Sequence, residues 1–427
     1  MSKAGRNTCL AVMLVAVFSA ALVLMWNGTI FWLGSEAAVY MADAANGDSF
    51  MEVAQQAAGA YGWREVLRSV LPAVLASTLG EVGLVSLTLL AAGGTIVLVY
   101  LIGLDEFGPQ TALVAALLFA LSPLIVRHPF AALSPLGPGV LTLLAVYLAQ
   151  QASQAIDRMR LVLWVGCVLV CAANFLLTPY AIWLPAFIGL YYLARSVRTR
   201  TLVFLAGLVL AGLHHGWPGL HNQPLSFYDP ATPVRELLEQ PAAQQVGNAI
   251  THPQYPFTLP GNTPAILLAL GSVVLASEHK RKLSFVGLWL LALLTFNFGF
   301  LQANMDTVLV AALLPLALLV AMFFERMRLS PLVIALYAGV FLLAAVVLRA
   351  EALPALFVID FKGGWATQVP WHDLSRVAGG LVVLLAVSYL GFEARMSARW
   401  QNMYLHLLFG LLGLTQVGLM SFLRLGL

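Results

Sequence analysis

The sequence predicts an all-α polytopic membrane protein, and three observations predict it. Of 427 residues, 61% are hydrophobic and only 10% are charged, with a mean hydropathy of +0.89. A soluble domain carries roughly 25% charged residues and about 45–50% apolar ones, so this chain cannot cover a water-facing surface. The apolar residues also fall in long unbroken runs of membrane length, not in the ~10-residue alternating segments of a membrane β-barrel. Finally, the basic residues cluster at the ends of alternate runs, as cytoplasmic loops do. Composition thus excludes a cytosolic or secreted globular domain, a disordered chain and a nucleic-acid binder.

Apolar runs lie at about 9–26, 82–102, 110–126, 137–151, 161–178, 181–195, 201–214, 264–277, 283–301, 307–325, 331–348, 377–392 and 403–423. The expectation is about 13 transmembrane helices, with a range of 11–13 because several runs are short. The first run follows Lys3 and Arg6 and ends at Trp26, which suits an uncleaved first span with an interface anchor. With the N-terminus cytoplasmic, inner segments collect 14 of the 22 basic residues, among them Arg195–Arg200, Lys280–Lys282, Arg326 and Arg328. Thirteen of the 19 acidic residues fall outside, as do His128, His214, His215, His221, His252 and His372. Chemistry is therefore expected on the outer face. The whole chain, 1–427, reads as a single membrane domain with three long outer segments, 27–81, 215–263 and 349–376. Long connections of this kind are uncommon without a function.

The first outer segment contains a helical pattern. Trp63, Val66, Leu67, Val70, Leu71, Val74 and Leu75 recur at helical spacing, with Arg64, Glu65, Arg68 and Ser69 on the other face. A helix so patterned lies in the membrane interface with its stripe down, and Pro72 is expected to kink it. Shorter helices are expected at 34–45 and 49–58. The alternative for this segment is a packed cap over the bundle without chemistry. Cys167 and Cys171, one helical turn apart, are read as packing residues, since i,i+4 geometry aims their Cβ atoms poorly for a disulfide.

Glu36 follows the first span by ten residues, in Gly34-Ser35-Glu36-Ala37-Ala38-Val39-Tyr40. Desolvation beside the bilayer favours its neutral form and makes it a candidate general base. Asp43 is two helical turns on, hence on about the same face. The alternative for both is a solvated surface helix. The second outer segment opens His214-His215-Gly216-Trp217-Pro218-Gly219-Leu220-His221, but adjacent histidines diverge on a helix, so no metal site is assigned. In the third, Lys362-Gly363-Gly364-Trp365 and Trp371-His372-Asp373 suit phosphate and sugar contacts, and suit an interfacial aromatic belt equally.

The order of these features resembles a known layout. The small-residue run from Gly108 ends in Leu121-Ser122-Pro123, followed by Arg127. Together with Ser35-Glu36…Tyr40-Met41-Ala42 and the late Leu314-Pro315-Leu316 segment, it is similar to the GT-C glycosyltransferases. These are the polyprenyl-phosphate-sugar-dependent enzymes that include protein O-mannosyltransferases and aminoarabinose transferases. The chain differs in having Ser at position 35 and no carboxylate in the 128–135 segment after Arg127.

The resemblance implies transfer of a sugar from a polyprenyl-phosphate donor to a lipid, glycan or protein acceptor. The reaction would take place on the outer face of a bacterial inner membrane. It implies Glu36 as the base with Asp43 in reserve, and Arg127 with His128 on the phosphate. Lys362, Trp365 and His372 complete the expected substrate contacts. The cofactor stays open: a divalent cation is one possibility, but a single carboxylate is a poor site for one. Alternatives are a non-catalytic GT-C-like membrane subunit, a lipid-linked polysaccharide polymerase or ligase, and a transporter.

Overall fold

The computed structural model describes residues 3–27, 50–61, 63–122, 125–126, 136–177, 179–194, 197–216, 268–269, 271–273, 280–297, 305–348 and 371–425. The described residues are helical, with no strand among them. In chain order the helices are α1 (Lys3–Asn27), α2 (Phe50–Tyr61), α3 (Trp63–Phe107), α4 (Pro109–Ala120), α5 (Leu136–Gln154) and α6 (Asp157–Leu177). They continue with α7 (Trp183–Ile188), α8 (Val197–Gly216), α9 (Lys280–Asn297), α10 (Met305–Phe323), α11 (Pro331–Leu348), α12 (Trp371–Phe392) and α13 (Ala398–Leu425). Helix thus occupies each expected span except 264–277, of which only five residues are described.

Among the described residues four helices are long and apolar enough to cross a membrane: Gly5–Met25, Val85–Phe107, Asp157–Leu177 and Val377–Arg395. Others are shorter than the expected span. α4 has 12 residues, or about 18 Å of helix against a hydrocarbon core of about 30 Å. Pro109 sits in its first turn, where a missing N–H costs nothing.

The packing is that of a membrane protein. α4 is central: residues Thr111–Leu117 are all buried. α6 is peripheral and inverted in polarity, with Leu161, Val162, Val165, Val168, Leu169 and Leu176 each at least half exposed. Apolar side chains presented this way suit a lipid-facing helix. Cys167 is buried with its thiol on the Ala145 carbonyl (3.4 Å), and neither it nor Cys171 is in a disulfide.

Helix–helix contacts are close where glycine allows it. A Cβ at Gly103 would meet Ala112 Cβ at 3.1 Å and Leu318 at 3.3 Å, so α3 approaches α4 and α10 at this level. At Gly413 a Cβ would overlap Cζ of Phe341, which is itself fully buried. Gly413→Ala is therefore expected to destabilise the protein by about 1–3 kcal/mol through overpacking. Thermal unfolding in detergent checks this, and Phe341→Leu in the same chain should recover most of the loss.

The first outer segment differs from expectation in two respects. The helix starting at Trp63 is set off from the next span by a break at Gly80 (φ 60°, ψ −146°), and the interruption falls there, with Pro72 inside the helical run. Only glycine takes that conformation without strain. Secondly, the apolar stripe is divided. Val66 and Ala73 are buried, with Val70 half-buried beside them, against Val53, Ala54 and Ala57 of α2, in a small core separate from the main one. Leu71 and Val74 remain 48% and 37% exposed. One edge of the stripe thus packs on α2, and only the other is free to meet a membrane surface. The expected helix at 49–58 is α2, and the one at 34–45 lies outside the described residues.

Candidate functional site

One end of the bundle is defined by its polar contacts. Gln151 Nε2 donates to Asp105 Oδ2 (3.1 Å), and Gln150 Nε2 to the carbonyl of Ile102 (3.3 Å), joining the end of α5 to the end of α3. The Tyr191 hydroxyl donates to Glu106 Oε2 (2.9 Å), and Arg281 Nε lies 3.2 Å from the same oxygen. Lys282 pairs with Glu325 at 3.0 Å, and Arg326 pairs with Glu393. The Leu329 N–H donates to Gln110 Oε1 (3.2 Å) and the Arg328 N–H to Asn402 Oδ1 (2.8 Å). The turns that the sequence assigns to the inner side, around 105–110, 151–157, 281–282, 325–330 and 393–402, therefore meet at one end.

Within this end Glu106 is the unusual residue. Its side chain is 1% exposed, while that of Arg281 is 76% exposed. A buried carboxylate requires a cation and hydrogen bonds, and Arg281 and Tyr191 supply them. The hydrogen bond with Tyr191, and then the charge of Glu106, hold the Arg281 guanidinium above its ordinary pKa. Tyr191 is carried by a π turn, Gly189–Leu193, that closes the helical stretch begun by α7. This cluster escaped the sequence reading. The available signals were Asp105-Glu106 between two spans and Tyr191-Tyr192 at a span end. Nothing linear joins positions 106, 191 and 281.

Helix direction then locates the other end. α4, α6, α9 and α11 start at the polar end, and α5, α10 and α12 arrive there, so their remaining termini lie opposite. α4 ends and α5 begins at that opposite end, as α11 ends and α12 begins there. α2 packs on the part of α3 preceding Gly80, again away from the polar end.

Glu36, Asp43, Arg127, His128, Lys362 and Trp365 lie outside the described residues. His372 is described only as the second residue of α12. His214 and His215 are described only as backbone at the end of α8, and His221 not at all. Beside Arg127 the described chain is well packed. Ile125 and Val126 are buried, and the N–H groups of both donate to the Ser122 carbonyl at 3.1 Å.

Below this end a cavity of about 10 Å³ is lined by Thr95, Phe119, Thr142, Trp289, Ala311 and neighbours. Thr142 Oγ1 accepts from Asn174 Nδ2 (2.9 Å), and the Trp289 indole donates to the Ala311 carbonyl (2.9 Å). The space suits one water molecule and is far too small for a sugar. It is a packing feature between α3, α4, α5, α9 and α10.

No family model matches the chain, and no curated protein matches it. Among solved structures it is similar to the crystal structure of ArnT from Cupriavidus metallidurans in the apo state. The identity is 15%, over 95% of this chain and 77% of that one, with a TM-score of 0.42. A likeness of that degree decides neither activity nor substrate. On composition, helix content and exposed apolar surface, the chain is an integral membrane protein whose described residues are nearly all helical.

Proposed function

We propose that this protein is a GT-C-like membrane glycosyltransferase that takes its sugar from a polyprenyl-phosphate donor. Its working face is the end of the bundle opposite the Glu106–Arg281 pair, the periplasmic face of a bacterial inner membrane in this reading. The observation that carries the proposal is the direction of the described helices: α4 and α11 end, and α5 and α12 begin, away from Glu106. In a chain with 10% charged residues, Arg127 and His128 fall in sequence between α4 and α5, Lys362 and Trp365 between α11 and α12, His372 in the first turn of α12, and Glu36 and Asp43 ahead of α2. A bundle of about 13 spans, with the first outer segment partly on the membrane surface through Leu71 and Val74, fits this reading.

In the reaction, an acceptor hydroxyl or amine attacks the anomeric carbon. The new bond to that carbon forms as its bond to the phosphate oxygen breaks, with inversion. Glu36 takes the proton from the acceptor, and Asp43 is the reserve carboxylate. The electron pair leaves on polyprenyl phosphate. Arg127 binds that phosphate through its two-pronged guanidinium, with His128 and Lys362 beside it. Trp365 offers a face for the sugar, and His372 stands at the head of α12.

The test is reconstitution of the full chain in liposomes with a panel of polyprenyl-phosphate sugars and envelope lipid acceptors, read by mass spectrometry. Transfer or donor hydrolysis is expected with one of them. Neither turnover nor donor binding across the panel would leave the non-catalytic reading in its place.

A further inference from the structure

The corner formed by the α10–α11 and α12–α13 turns carries cations that no described carboxylate neutralises. Glu325 is spent on Lys282 and Glu393 on Arg326. Arg328, Arg395 and Arg399 are exposed and lie on the same two turns.

Both turns are held rigidly. On the first, Met327 is fully buried, the Arg328 N–H donates to Asn402 Oδ1 (2.8 Å) and the Leu329 N–H to Gln110. On the second, Gln401 Nε2 donates to the carbonyls of Glu393 (2.9 Å) and Met396 (3.3 Å). Arg399 is one helical turn before Asn402, on the same face of α13, so the contact of the Arg328 N–H with Asn402 puts both arginines at this corner. Arg395 is on the short turn that Gln401 closes. The starts of α11 and α13 also meet here, with no acidic residue in the first turn of either. Their dipoles add to the positive potential.

The surroundings are apolar. Trp400 is 62% exposed, Met403 54% and Leu332 71%, and these side chains continue from the arginines along α13 and α11. A free anion would find the charge but gain nothing from this surface. A phospholipid uses both: phosphate on the guanidinium groups, acyl chain along the helices, Trp400 at the boundary.

We infer that Arg328, Arg395 and Arg399, with Trp400, form a binding site for the headgroup of an anionic phospholipid. The site stands at the opposite end of the bundle from the sugar-transfer face and does not depend on that assignment. Each arginine near an anionic headgroup contributes roughly a 5-fold factor, and the three together about 100-fold.

The experiment uses the delipidated full-length protein in detergent, with native mass spectrometry after addition of phosphatidylglycerol or phosphatidylcholine. Phosphatidylglycerol is expected to bind about 10-fold or more tightly than phosphatidylcholine. Arg328→Gln/Arg395→Gln/Arg399→Gln should weaken it roughly 100-fold, and Arg395→Gln alone about 5-fold. The single variant keeps the test decisive if the triple variant folds poorly. Arg158→Gln/Arg160→Gln/Arg198→Gln removes the same charge from other exposed positions and should leave binding intact.

Equal loss in that control would mean diffuse charge and overturn the site. So would equal binding of phosphatidylcholine, or unchanged binding in Arg395→Gln. Displacement by inorganic phosphate at the same concentration as the lipid would show a simple anion site and overturn the lipid assignment.

Discussion

Glu36→Gln should lower sugar transfer by about 10²–10⁴-fold, the range for loss of a positioned general base. The substitution keeps the size of the side chain and removes its capacity to accept a proton. Donor binding should persist, because in the proposed reaction the phosphate is held by Arg127. Arg127→Lys is expected to act in the opposite sense, weakening donor binding, since an ammonium cannot reproduce the two-pronged contact. Measuring turnover and donor affinity on both variants separates the roles. Full activity in Glu36→Gln would remove the base assignment and turn attention to Asp43.

Arg281→Met is expected to destabilise the protein by about 3 kcal/mol, read as a fall in unfolding temperature in detergent. Removing the cation leaves the buried Glu106 carboxylate uncompensated, which for a fully buried pair costs about 3–5 kcal/mol. The lower end applies because Tyr191 still donates to Glu106 Oε2 at 2.9 Å. The asymmetry of the pair makes the result direction-dependent. Arg281 is 76% exposed and can be solvated when Glu106 is lost, whereas Glu106, at 1%, cannot be when Arg281 is lost. Glu106→Gln should therefore cost less than Arg281→Met, and Glu106→Gln/Arg281→Met should recover part of the loss. An equal cost for the two single variants would show that the carboxylate is not desolvated as the geometry requires. The pair ties the end of α3 to the start of α9 beside the π turn, so local loosening should accompany the loss.

Much of the helical layout was legible because one physical requirement dominates it. A backbone in lipid must satisfy its own hydrogen bonds, so long apolar runs become helices, as α1, α6 and α12 are. The grouping of turns was legible for a related reason. Basic residues mark alternate span ends, and the turns they mark meet at one end through Arg281, Lys282 and Arg326. The amphipathic pattern from Trp63 revealed a helix but not its partner. Periodicity reports which side is apolar, not whether lipid or another helix covers it, and α2 covers one edge. The break at Gly80 was also hidden, since a single glycine inside an apolar run has several possible uses.

The candidate site was legible only as a set of segments. The sequence nominated Glu36, Asp43, Arg127, His128, Lys362, Trp365 and His372 from residue type and order, and it still carries that assignment alone. What the tertiary structure decided is where their flanking helices end: α4 and α11 leave, and α5 and α12 enter, at the end away from Glu106.

By itself, then, the sequence determined an all-helical protein for lipid, with acids and bases sorted to opposite sides, because hydrophobicity and charge act on each residue locally. Only the tertiary structure decided which scarce charges touch. It paired Glu106 with Arg281 across 175 positions, and left Arg328, Arg395 and Arg399 unneutralised on two pinned turns. Contacts of that separation depend on helix packing, and packing depends on the shape of many side chains at once.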